Sequence, residues 1–256
     1  MQPIFPTKSH QKALEATAEH FKKKKEVLAI TLVGSVLRGH GSADADVDVD
    51  VFVKDQATID RLSREFDKVS QSILAPLRKN KEVGRYFDIG VHMRFLNPQP
   101  KPRFWTSGPD EFEIEIAHSF VHCKLIFERN KAWTKARKRF VPYYNENLRK
   151  RRLKEVKMYC LNNIGHIEPY VKRGLYFQAY KRFYDATREF LQALFISKKK
   201  YPLDYDKWIR YELEKILKMP KLYREFVSLY ELNKLESNEL IKKGRRLEKL
   251  LQIYLK

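Results

Sequence analysis

The chain has 256 residues, of which 43% are hydrophobic and 13% aromatic, enough to build one large domain or two smaller ones. No apolar run approaches the ~18 residues of a membrane span, and the first residues lack a secretory signal pattern, so we expect a cytoplasmic protein without a membrane partner. Two cysteines, Cys123 and Cys160, provide neither a disulfide framework nor a metal-binding spacing. The net charge of +20 indicates an anionic partner such as a nucleotide or a nucleic acid.

Predicted helices and strands alternate through the first half of the chain. Apolar residues at helical spacing predict helices, whereas short apolar or alternating runs predict strands. The first predicted elements are, in chain order, a helix over 9–25, strands over 27–33 and 46–53, a helix over 57–79 and a strand over 86–95. A proline-rich loop over 97–110 follows, and then two short strands over 112–116 and 121–127. This order predicts an α/β module on a mixed sheet.

The second half of the sequence is helical almost without interruption. The predicted helices cover residues 143–163, 174–197, 204–218, 221–232 and 235–255. An aromatic stripe over 176–184 favours the core of a helical bundle over a platform for stacking bases. We therefore expect an α+β protein in which a mixed-sheet catalytic domain, residues 1–140, precedes an all-α helical bundle, residues 141–256.

The most informative motif lies in residues 33–53. Gly34-Ser35 ends one apolar run, and ten residues separate Ser35 from Asp46-Val47-Asp48, which opens the next. Alternate side chains of a strand share a face, so Asp46 and Asp48 should project together, roughly 6.5–7 Å apart. The intervening valines should point into a core.

Two carboxylates beside a Gly-Ser turn suit the binding of metal ions and a triphosphate. Mg²⁺ prefers carboxylate, phosphate and water oxygens, and two such ions can activate a hydroxyl and stabilise a pyrophosphate leaving group. Gly34 permits a close backbone approach to a phosphate. Ser35 offers a hydroxyl and an N–H at the start of a short helix, and Arg38 offers a charged fork. The motif therefore predicts a nucleotide-binding site at Gly34, Ser35 and Arg38.

This motif resembles the signature of the DNA polymerase β-like nucleotidyltransferase superfamily, and within it the kanamycin-type enzymes with a helical C-terminal domain. The strand 87–91 is similar to the one that carries a third carboxylate, here Asp88, and 117–127 is similar to a His-led strand. The resemblance implies that Asp46, Asp48 and Asp88 are catalytic and bind two Mg²⁺ ions. It also implies transfer of an NMP group from an NTP, with ATP expected, to an acceptor hydroxyl, releasing pyrophosphate. The helical domain would then contribute to the acceptor site.

Several residues of the motif have alternative interpretations. A shift of two residues would make Asp48 and Asp50 the ligand pair, and the Asp-Val repeat is also compatible with an acidic edge strand. Asp88 could be a strand-start acid that pairs with Lys or Arg, and Arg38 could form a surface salt bridge. His118 is more typical of a structural histidine than of a catalyst.

The acceptor is not specified by the sequence. A small cationic acceptor would need local acids, for which Asp110, Glu111, Glu113 and Glu115 are candidates. The positive charge favours RNA or protein instead, and the basic segment 149–154 is either a polyanion-binding surface or an exposed helix face. Glu155 is a candidate general base without a motif to support it. The alternative function is a non-enzymatic nucleic-acid-binding protein on a helical scaffold, which would not need aligned acids.

Overall fold

The computed structural model describes residues 2–97, 108–142 and 145–255, which form two compact units. The sheet unit contains the described residues up to 97 together with 118–142, and the helical unit contains 108–117 and 145–255. Within these described ranges, no helix combines the length and the apolar character needed to cross a bilayer.

A four-stranded mixed sheet forms the sheet unit. Its strands are β1 (Ala29–Leu32), β2 (Val47–Val53), β3 (Ile89–Phe95) and β4 (Lys124–Glu128). The spatial order is β3-β2-β1-β4, with β2 and β3 parallel and the other pairs antiparallel. The motif strand β2 therefore lies inside the sheet with a neighbour on each side. This architecture, with the helices that follow, confirms the predicted α+β class.

Helices surround the sheet and make up the second unit. In chain order they are α1 (Lys8–Lys22), α2 (Gly34–Leu37), α3 (Gln56–Arg78), α4 (Phe112–Ile116), α5 (Ala132–Phe140), α6 (Glu146–Lys172), α7 (Tyr176–Lys198), α8 (Ile209–Tyr211), α9 (Pro220–Leu229) and α10 (Glu239–Tyr254). Two π-helical turns, Ala117–Val121 and Glu212–Ile216, follow α4 and α8 directly.

Alternation along β2 decides which face of the sheet is buried by α1 and α3. Val47, Val49 and Val51 are fully buried, and they pack in one core with Leu14 of α1 and Phe66 of α3. A carboxylate at the start of α3 fixes that helix, since Asp55 Oδ1 accepts a hydrogen bond from Thr58 N at 2.8 Å. The valine face therefore points into the core as the sequence predicts, which leaves the aspartates on the other face.

Three predictions of secondary structure are wrong. Residues 112–116 form a helix rather than a strand, and the π-helical turn 117–121 replaces the expected head of the His-led strand, so that β4 begins only at Lys124. Residues 204–218 do not form one long helix. Glu212 Oε1 accepts hydrogen bonds from Leu203 N and Asp204 N at 2.5 and 3.0 Å, and these bonds hold the preceding segment in a turn.

The helical unit has a core of its own. Cys160 of α6, Phe183 and Leu194 of α7, and Leu247 of α10 are fully buried in one apolar cluster. The aromatic stripe contributes only in part, because Phe183 is buried whereas Phe177 is 79% exposed. Cys123 and Cys160 are both free thiols, in agreement with the absence of a disulfide framework.

Candidate active site

The two aspartates of the motif lie at the start of β2. Asp48 is on the strand and its side chain is 22% exposed, whereas Asp46 immediately precedes the strand and is exposed. Asp48 has the parity opposite to the buried valines, so it belongs to the face that α1 and α3 leave uncovered. The structure therefore places Asp48 on this face of an interior strand, with Asp46 two residues before it in the chain.

Glycines on both neighbouring segments make room for the Asp48 carboxylate. Gly34, which follows β1, has φ of +76°, and a β-carbon at that position would lie 2.0 Å from Asp48 Oδ2. Gly90, opposite Asp48 on β3, is also constrained, because a β-carbon there would lie 2.7 Å from Asp48 Oδ1. Val33 N also donates to the Asp48 carbonyl at 3.0 Å. The Gly-Ser turn and the acidic strand are thus in direct contact.

The predicted phosphate-binding residues lie on a tight turn whose first residue, Gly34, is beside Asp48. The helix α2 is a single turn, and Ser35 O accepts hydrogen bonds from Arg38 N and His40 N, each at 3.1 Å. Ser35 is half-buried at the start of this turn, next to Gly34, and Arg38 ends it. The backbone therefore brings Gly34 and Ser35 to the acids of β2.

Asp88, the predicted third carboxylate, is near β2 in the sheet but has different partners. Val47 N donates to Asp88 O at 2.9 Å, so Asp88 stands beside the start of β2. Its carboxylate accepts from Ile89 N at 2.8 Å, lies 3.3 Å from Arg78 Nη2 and is 55% exposed. It also lines a groove of about 280 Å³ with Asp67 of α3. Within residues 2–97, 108–142 and 145–255, no three His, Cys, Asp or Glu side chains are grouped so as to hold a metal ion.

Asp50 is the next acid in the same alternation as Asp46 and Asp48, but it lies in the protein interior. It is fully buried, and Arg94 Nε of β3 lies 2.7 Å from Asp50 Oδ2. Burial raises the pKa of Asp50, and the Arg94 charge opposes that rise. The neighbouring Phe52 stacks on Phe120 of the π-helical turn, which closes this end of the face. The burial of Asp50 disfavours the alternative in which Asp48 and Asp50 are the ligand pair.

His92 is a residue of this face that the sequence analysis missed. Its Nε2 lies 3.7 Å from Asp48 Oδ1, and its interaction with this carboxylate raises the pKa of His92. The only sequence signal is that His92 shares the parity of Asp88 on the predicted strand 86–95. His118 lies on the π-helical turn rather than on a strand, and its charge acts to lower the pKa of Asp50.

The basic segment 149–154 is not a continuous exposed surface. Arg152 is 2% exposed and binds two carboxylates, with contacts of 2.9 Å to Glu113 and of 2.9 and 3.1 Å to Asp110. Arg149 pairs with Glu146. The exposed cations of the segment are Lys150, Arg151 and Lys154. Arg152 is therefore a structural residue, and Asp110 and Glu113 are engaged with it rather than with an acceptor.

Sequence comparison matches one part of the chain, which includes β1, β2 and β3, to a known kind of domain. Residues 13–116 match the family model described as a nucleotidyltransferase domain, and the match includes Gly34, Asp46, Asp48 and Asp88. Residues 13–116 are therefore similar in sequence to a nucleotidyltransferase domain. The protein is accordingly an enzyme of the nucleotidyltransferase type, which transfers nucleoside monophosphate groups.

A comparison with solved structures gives a match over most of the chain. A crystal structure of a nucleotidyltransferase-like protein from Exiguobacterium sibiricum is 16% identical, covers 95% of this chain and 74% of its own, and has a TM-score of 0.44. No curated protein sequence is significantly similar to this nucleotidyltransferase.

Proposed function

We propose that this chain is a Mg²⁺-dependent nucleotidyltransferase that moves an NMP group from an NTP, with ATP expected, to an acceptor hydroxyl in the cytoplasm and releases pyrophosphate. The observation that carries the proposal is the contact between the Gly34 turn and the Asp48 carboxylate, since a β-carbon at residue 34 would lie 2.0 Å from Asp48 Oδ2. The contact joins the proposed phosphate-binding turn to the proposed metal-binding strand. The nucleotidyltransferase domain match also favours this enzyme over the non-enzymatic alternative.

The residues present fit a divalent cation of the magnesium type. Asp46 and Asp48 would hold it, because hard cations take carboxylate oxygens together with phosphate and water oxygens. Gly34 and Gly90 leave space for the Asp48 carboxylate, and a side chain at either position would occupy that space. When bound, Mg²⁺ neutralises the triphosphate charge and lowers the pKa of a coordinated hydroxyl.

The chain's own residues then position the substrate. Gly34 and Ser35 would receive the phosphates at the turn, and Arg38, at the end of α2, would bind their charge as a fork. The acceptor hydroxyl would approach on the open face of β2, beside Asp46 and Asp48. His92, at 3.7 Å from Asp48, would hold that carboxylate in its orientation.

Asp88 is proposed as the third metal ligand, a role that requires its carboxylate to leave Arg78. Both partners are largely exposed, at 55% for Asp88 and 40% for Arg78. An exposed ion pair of this kind stabilises a protein by only ~0–1 kcal/mol. Coordination of a divalent cation by Asp88 can offset the loss of so small a contribution. The ion pair is therefore compatible with a ligand role for Asp88 in the loaded enzyme.

The acceptor is a small molecule, an RNA or a protein hydroxyl. Of the four acids that could attract a cationic small molecule, Asp110 and Glu113 are already bound to Arg152. This observation favours an uncharged or anionic acceptor.

The test is transfer of labelled NMP in cell extract with Mg²⁺, in which each of the four α-labelled NTPs is supplied separately. Asp46→Ala and Asp48→Ala should each reduce labelled product and pyrophosphate release by more than ~10³-fold, because preorganised charge is commonly the largest catalytic contribution. Asp44→Asn is the matched control, since Asp44 has the same parity but accepts a hydrogen bond from Tyr86 N at 3.1 Å. Turnover that persists in the Asp46→Ala/Asp48→Ala double variant would refute the proposal.

A further inference from the structure

An aromatic pocket in the helical unit shares no lining residue with the candidate active site. Its volume is about 420 Å³, within the range of ~300–1,000 Å³ typical of small-ligand sites. Three segments of the chain enclose it, namely α7, the stretch 206–210 that includes the start of α8, and α9. The lining residues used below are Tyr184, Lys207, Arg210, Tyr223, Phe226 and Tyr230.

The floor and walls of the aromatic pocket are held by packing and a hydrogen bond. Phe226 is buried, and Tyr230 is held between Phe226 and Phe183, with ring centroids 5.6 Å away in each case. Tyr184 donates its hydroxyl hydrogen to Asp206. Burial and this hydrogen bond raise the pKa of Tyr184 to about 12, so its ring is an uncharged phenol near pH 7. Fixed, neutral aromatic faces are suitable for stacking a planar heterocycle.

The mouth of the aromatic pocket is cationic. Lys207 and Arg210 are exposed on its rim, and the Arg210 guanidinium carbon lies 5.6 Å from the centroid of Tyr223. The acid on the rim, Asp206, is compensated by Arg188, whose Nε lies 3.0 Å from Asp206 Oδ1. Arg210 Nε also lies 3.4 Å from the carboxylate of Glu214. The rim therefore has a net positive charge next to partly buried aromatic rings.

We propose that this aromatic pocket binds a nucleoside phosphate, with the base stacked on the tyrosines and the phosphate paired with Lys207 and Arg210. Base stacking on aromatic side chains next to cations that contact phosphate is a general mode of nucleotide and single-strand binding. A free nucleotide and the terminal nucleotide of an RNA share this chemistry. The site lies in the helical unit and is independent of the transfer chemistry proposed for Asp46 and Asp48.

Binding is measured by calorimetry on the full chain carrying Asp46→Ala/Asp48→Ala, in EDTA, so that the proposed donor site is disabled. The probes are AMP and a single-stranded oligoadenylate of about ten nucleotides, a length within the known site sizes. Tyr223→Ala should weaken binding about 5- to 150-fold, as expected for loss of one stacking partner. Tyr223→Phe, which keeps the ring, should bind like the parent. The thermal unfolding of each variant is compared with the parent to exclude loss of fold.

The charge contribution is tested with a matched pair of double variants. Lys207→Ala/Arg210→Ala should reduce the log–log salt slope for the oligoadenylate by about 1.4, since each single-strand phosphate contact contributes about 0.7. Arg246→Ala/Lys249→Ala removes two exposed cations of α10 that do not line the pocket, and it should leave the slope unchanged.

Each outcome decides the proposal. Comparable affinity for both probes identifies a free nucleotide as the ligand, whereas affinity for the oligoadenylate that is at least tenfold higher identifies a nucleic-acid strand. Absence of saturable binding of either probe up to about 1 mM overturns the proposal. Binding that Tyr223→Ala and Lys207→Ala/Arg210→Ala leave unchanged also overturns it.

Discussion

Replacement of Arg152 by Leu should destabilise the helical unit more than any other change in the basic segment. Arg152 is 2% exposed, and its carboxylate partners Asp110 and Glu113 are 9% and 0% exposed. Four contacts of 2.9–3.1 Å join the guanidinium to these two side chains. Removal of one partner from a buried ion pair costs about 3–5 kcal/mol because the remaining charge stays buried. Here two carboxylates lose their shared cation, so the upper part of that range applies.

The assay is calorimetric and urea unfolding of the full chain at pH 7. A loss of about 3–5 kcal/mol corresponds to a decrease in Tm of roughly 6–20 °C for a chain of this size. Arg152→Lys keeps a charge but cannot form the paired contacts, so it should fall between the Leu variant and the parent. Arg151→Leu is the control, because an exposed substitution should change stability by no more than about 0.5 kcal/mol. If Arg152→Leu and Arg151→Leu unfold at the same temperature, the structural role assigned to Arg152 is wrong.

Three further outcomes are expected. Gly34→Ala should destabilise the fold by about 1–2 kcal/mol, since φ at this position is +76°. It should also nearly abolish transfer, because the new β-carbon displaces Asp48. Normal transfer kinetics in this variant would contradict the contact between residue 34 and Asp48. Asp88→Asn should reduce turnover more than calorimetric affinity for Mg²⁺·NTP, and an equal loss of both would count against its role as a third ligand. Burial raises the pKa of Glu212 to about 7, above its unfolded value, so its stabilising contribution is complete in acid and is lost as pH rises through 7. Glu212→Gln should therefore be more stable than the parent above pH 7, by ~3 kcal/mol, and indistinguishable pH–stability curves would refute this assignment.

Local periodicity predicted the interior of the sheet and the parity of the acids, because both follow from the alternation of a strand. Spacing also identified the Gly34 turn as the partner of the acidic strand. The misassigned segment 112–116, Phe-Glu-Ile-Glu-Ile, alternates like a strand. It forms a helix whose Glu113 is buried against Arg152, a residue 39 positions away that no local pattern can detect.

The residues of the site that remained hidden depend on sheet register. His92 approaches Asp48 only because β3 pairs with β2 in parallel with Gly90 opposite Asp48. The pairing of these two strands cannot be predicted from a single sequence. The Arg78 partner of Asp88 likewise comes from the end of a helix that is folded back to the strand.

The segment 108–117 has a practical consequence for dividing this protein into parts. It stands between β3 and β4 in the sequence, yet it packs with the helices, so the chain leaves the sheet unit and re-enters it before the final crossing near residue 143. If the chain were divided at residue 140, the C-terminal fragment would contain Arg152 but lack Asp110 and Glu113. Its buried cation would then have neither of these counter-ions. A helical unit that folds alone would need residues 108–117 fused to its N-terminus, so the continuous halves of the gene do not correspond to the folding units.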